Sequence, residues 1–89
     1  EDWRRYVAEA KERELSSIIE EEGLDDEATR RLVERAFAEG GISEVGTEVT
    51  ALMTRRPSRF APQNAYAVMK QRVLDRLKAL FERFDGLGA

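Results

Sequence analysis

Apolar positions recur at helical spacing in three long stretches of this chain. In the first, Trp3, Tyr6, Val7 and Ala10 share one arc at about 100° per residue, while Leu15 and Ile19 fall further round. The drift predicts a helix from Trp3 to about Glu21 whose two halves touch different things. Gly23 ends it, and Asp25-Asp26 start a second helix by capping it and by placing negative charge at its positive pole. Ala28, Leu32, Val33, Ala36 and Phe37 mark the buried face of that helix, and Gly40-Gly41 stops it. Between Ile42 and Thr54 the pattern fits extended chain or a short helix; the preferred reading is a short helix capped by Thr47 and running through Val49, Leu52 and Met53. Pro57 and Pro62 force a loop over residues 55–62. From about Gln63 to Phe84 the stripe Tyr66, Met69, Val73, Leu77, Leu80 and Phe84, widened by Leu74 and Phe81, predicts the strongest helix. The expected fold is all-α: a compact bundle of three long helices, one short helix and a Pro/Arg-rich loop, in a single domain over residues 1–89.

Composition narrows the chemistry. The chain has no cysteine and no histidine, which removes thiol catalysis, zinc clusters and histidine-based triads. No apolar run approaches the roughly 20 residues that span a bilayer, and no phosphate-binding glycine motif occurs. No catalytic residue, metal ligand or cofactor site is expected, so the chain acting alone is not read as an enzyme. Its opening on Glu1-Asp2-Trp3, without an initiating Met, reads as a piece of a longer protein.

Charge changes the picture most. The net value of −3 conceals 7 basic and 15 acidic residues up to Thr50, against 8 basic and 3 acidic from Ala51 onward. On the last helix Arg72, Arg76 and Arg83 fall within about 40° of one another, beside the apolar stripe. Lys70 and Lys78 lie on the opposite flank, where Lys78 is in reach of Asp75 and Glu82. The loop adds Arg55, Arg56 and Arg59. Loop and flank together predict a patch of six arginines with few acids near it, and the planar guanidinium fork suits phosphate. The competing reading makes these arginines solubilising residues, some of them paired with the acidic half. The runs Glu20-Glu21-Glu22 and Asp25-Asp26-Glu27 read as a solvated turn and cap. Phe37, Tyr66, Phe81 and Phe84 read as core. Phe60 either plugs the loop into the core or anchors a partner, the plug being the expected role. Trp3 and Tyr6 are candidates for contact with another part of a larger protein.

Several unlike motifs then recur together in one order. Gly23-Leu24-Asp25-Asp26-Glu27-Ala28-Thr29-Arg30, continuing to Ala36-Phe37, is followed by Gly46-Thr47, Pro57-Ser58-Arg59-Phe60, Asn64, the run from Val73 to Phe84, and Gly86-Leu87. Over roughly Leu15 to Leu87 this resembles the C-terminal region of the motor (R) subunit of type I restriction enzymes. The resemblance implies a bacterial, cytoplasmic parent with an ATP- and Mg-dependent translocase and a nuclease lying elsewhere in it. It also implies partners: methyltransferase and specificity subunits, and double-stranded DNA. Arg59, Arg76 and Lys78 match the family pattern. Thr54-Arg55-Arg56-Pro57 stands where the family is apolar and richer in proline, and Ala61-Pro62-Gln63 where it is rich in glycine and lysine.

The sequence therefore supports an accessory domain that assists complex assembly and binds DNA without sequence preference during translocation and cleavage. The DNA contacts would be Arg55, Arg56, Arg59, Arg72, Arg76 and Arg83; the partner contacts would be Trp3, Tyr6 and Phe60. The alternatives are a purely protein-docking module, or a small free-standing helical regulator.

Overall fold

Helix α1 spans Asp2–Glu22, α2 Asp26–Glu39, α3 Val49–Leu52 and α4 Ala65–Phe84 in the computed structural model, which describes residues 2–42 and 48–87. No strand occurs among the described residues, only an isolated antiparallel bridge between Leu24 and Met53. Among the described residues the fold is all-α, with three long helices and one short one.

The breaks between helices follow the local chemistry. Gly23 leaves α1 at φ +66°, a left-handed conformation that an L side chain resists, and the Leu24 N–H reaches back to the Ile19 carbonyl at 2.9 Å. The Asp25 side chain then accepts from the Ala28 N–H at 2.8 Å, and Asp26 and Glu27 occupy the first turn of α2. Gly40, at φ +83°, closes that helix by donating to the Ala36 carbonyl.

Two segments depart from expectation. The short helix stops at Leu52, and Met53 is extended (ψ 120°) and bridged to Leu24. One isolated turn of helix cannot sustain itself, and stronger partners lie across the fold. Asp25 N–H donates to the Leu52 carbonyl at 2.7 Å, and Thr54 N–H to that of Gly23 at 2.9 Å. Thr47, the expected cap, lies outside the described residues, and Glu48 stands at the helix start without a side-chain capping bond. Helix α4 begins at Ala65 rather than Gln63, because residues 63–64 form a turn that returns the Ala65 N–H to the Pro62 carbonyl at 3.0 Å.

The core is one cluster. Val7, Leu15 and Ile18 enter it from α1, Leu32, Val33 and Ala36 from α2, and Val73, Leu77, Leu80 and Phe84 from α4; Val49 and Leu52 close it from α3. Phe37 and Phe81 meet at 5.0 Å between ring centroids, and Lys11 Nζ lies 4.4 Å from the Phe37 ring. Helices α1 and α4 run antiparallel, since Glu22 meets Arg72 and Arg76 while Glu14 meets Arg83. Because α4 ends one residue beyond Arg83, the first turns of α1 project past it, and residues 2–6 are all exposed. No described helix is long and apolar enough to cross a membrane.

Candidate nucleic-acid and partner interfaces

The six candidate arginines separate into two groups. Arg72, Arg76 and Arg83 share the flank of α4 that the helical spacing predicts, and that flank faces α1. Arg72 Nε bonds Glu22 Oε1 at 2.8 Å. Arg76 Nη1 bridges Glu21 Oε1 at 2.8 Å and Glu22 Oε2 at 2.9 Å. Arg83 pairs with Glu14. The expectation of few acids near the arginines is therefore corrected, because the acidic half lies along the basic one. Helical spacing fixes where a side chain points on its own helix and is silent about what lies across from it.

Glu22 carries this seam. Its side chain is only 8% exposed, and each of its oxygens holds one arginine. Burial alone would raise its pKa, but the hydrogen bonds and charges of Arg76 and Arg72 outweigh that and hold it below its ordinary value of 4.5. Glu20 and Glu21 are exposed, as the composition leads one to expect of such a run, and Glu22 alone departs from it by being buried. These carboxylates crowd the negative pole of α1, whose last turn has no basic residue of its own. Arginines from α4 and from the loop supply the missing charge. A second seam joins α1 to α2, where Arg30 bonds Glu12 at 2.6 Å, Asp26 at 3.0 Å and the Ser16 hydroxyl at 3.1 Å.

Arg55 is also engaged. Its guanidinium donates to the Glu21 carbonyl at 2.8 Å and the Glu20 carbonyl at 3.4 Å, covering carbonyls that the end of α1 leaves free. Its side chain lies over Gly23, where an added Cβ would collide with Arg55 Nε and with the side-chain carbons before it. Arg55 therefore anchors the loop.

Arg56 and Arg59 make up the second group. Both are exposed, and neither forms an ion pair among the described residues. The Arg59 guanidinium lies over the Phe60 ring, 4.9 Å from its centroid. Phe60 itself is 83% exposed, so the expected plug is overturned. Nothing on the loop presses it inward: its N–H is taken by the Ser58 hydroxyl at 3.2 Å, in a turn that faces water. Lys78, matched by the family pattern, is exposed, and Asp75 accepts from Gln71 at 2.8 Å rather than from Lys78.

Trp3 and Tyr6, 57% and 66% exposed, stand on the projecting end of α1. The loop is tied to the other end. About 18 residues of helix at about 1.5 Å each place the two exposed aromatic patches roughly 27 Å apart along the helix axis.

A family model described as the C terminal of subunit R of the type I restriction and modification enzyme matches residues 1–84. The chain belongs to this family. The C-terminal domain of the R subunit thus accounts for nearly all of the chain, from the projecting end of α1 to the end of α4. No solved structure matches it. Three residues that shape the domain escape a reading of the sequence: Glu22, Arg30 and Arg55 in its anchoring role. A signal for the α1–α4 seam is present, since Glu14 and Glu21 are one heptad apart and share a flank of α1.

Proposed function

We propose that this domain is a two-ended accessory module of the R subunit. Its projecting α1 end, with Trp3 and Tyr6, docks on the methyltransferase and specificity subunits. Its loop end holds the phosphates of double-stranded DNA through Arg56 and Arg59, without sequence preference. The translocation and cleavage chemistry, with ATP and Mg, is assigned to parts of the R subunit whose motifs this chain does not carry. One observation carries the reading: the two exposed patches lie at opposite ends of one helix, and the arginines of the α4 flank between them are neutralised by carboxylates. Large exposed aromatics of this kind suit a partner surface.

With two phosphate contacts in place of six, log affinity for duplex DNA should fall against log salt with a slope of about −2 rather than about −5. Arg83→Gln should leave the slope unchanged, and Arg56→Gln with Arg59→Gln should flatten it. In the R subunit, Trp3→Ala with Tyr6→Ala should weaken co-purification with the partner subunits and leave the slope alone. A slope near −5, lost on neutralising Arg83, would return the contact to the α4 flank. If the loop substitutions leave duplex affinity untouched, the purely docking reading stands; the neutralised flank favours it as the second choice.

A further inference from the structure

The loop end offers more than charge. Between Glu48 and Asp75 the sequence has no acidic residue, so Arg56, Arg59 and Phe60 sit in a stretch free of carboxylates. Phe60 is 83% exposed, the most exposed of the large apolar side chains described. Its position is held. Thr54 donates to the Gly23 carbonyl through both its N–H, at 2.9 Å, and its hydroxyl, at 2.6 Å, and Arg55 fastens the same root to the end of α1. Pro57 and Pro62 fix φ on either side, and the Ser58 hydroxyl and carbonyl accept the N–H groups of Phe60 and Ala61. The ring is therefore held out in water on a tied loop, with a guanidinium over it and a second free arginine four residues before it.

Phosphate alone needs no aromatic, and a duplex keeps the faces of its bases inside the stack. An unpaired base presents both a flat π-face and flanking phosphates, and that combination fits an exposed ring beside free arginines. We infer that the loop at 56–60 binds single-stranded nucleic acid, with Phe60 stacking on an unpaired base while Arg56 and Arg59 hold the adjacent phosphates. This rests on the phosphate-binding half of the proposed function and adds to it a preference for strands whose bases are unpaired over the duplex.

The test compares three fluorescein-labelled probes by anisotropy: an oligothymidylate of about 12 nucleotides, a duplex of the same length, and an abasic sugar–phosphate strand. The thymidylate should bind more tightly than the other two. Phe60→Ala should weaken it roughly tenfold or more while leaving the abasic strand unaffected, and Phe60→Trp should preserve the preference. Because Phe60 is exposed and lies outside the core, with the Arg59 guanidinium over its ring, its variants should keep the wild-type melting temperature, which excludes unfolding as the cause. Equal binding of all three probes, indifferent to Phe60→Ala, overturns the stacking inference and leaves phosphate binding intact. No binding of any probe overturns both.

Discussion

Glu22 is the one carboxylate on α1 that the fold takes out of water, and its two arginines decide whether that is tolerable. A buried carboxylate without partners costs several kcal/mol. Here Arg72 stays half-exposed, so solvent screens the pair, and its net worth is about 1 kcal/mol. The sign of the pH effect follows from the lowered pKa. A carboxyl held below its ordinary 4.5 adds stability above that pH and loses it as the pH falls through the folded-state value. Glu22→Gln should therefore be less stable than wild type by about 1 kcal/mol at pH 7. In urea titrations the gap should narrow once the pH drops below about 4.5. A gap that persists unchanged at pH 3 would show that packing, not charge, sets the cost. None of this is readable from Glu20-Glu21-Glu22 as a run, because three adjacent carboxylates point in three directions and only the fold selects which one is enclosed.

At the scale of elements, the turn at Gly23 and the loop root at Arg55 form one joint. Gly40 provides the comparison: it too is left-handed, but nothing described lies within 4 Å of a Cβ built there. Gly40→Ala should cost about 1–2 kcal/mol of backbone strain. Gly23→Ala should cost more, since the new methyl must also displace the Arg55 side chain. The excess should vanish in an Arg55→Ala background, a coupling that a double-mutant cycle in chemical denaturation reads directly. Helix boundaries are legible in the sequence because they rest on residues that act locally: Gly23, Asp25, Gly40 and the two prolines. Met53 departs from its pattern for the opposite reason, its conformation being set by Leu24 some thirty residues away. Phe60 departs too. Prolines on both sides announce a stiff loop and say nothing about whether a pocket awaits its tip.

For the whole molecule, the notable arrangement is that the first and last long helices are partners. The bonds from Glu22 to Arg72 and from Arg83 to Glu14 span 50 and 69 residues of chain. Part of the lopsided charge of the sequence is thus matched inside the fold, where α4 arginines meet α1 carboxylates. The asymmetry is visible as arithmetic, while the pairing needs the antiparallel approach of α1 and α4. A fragment that ends before α4 should therefore show little stable helix over residues 15–22. Residue-resolved NMR backbone chemical shifts check this, and strong helicity there would mean that α1 is self-sufficient. An end-to-end pairing also sets an order in time. As this domain leaves the ribosome, α1 emerges before α4, carrying carboxylates at the wrong pole, and the α4 arginine bonded to Glu22 follows 50 residues later. Its closing turn must wait for nearly the whole domain to be synthesised. Completion of α1 is then a late event, reporting that translation has passed α4.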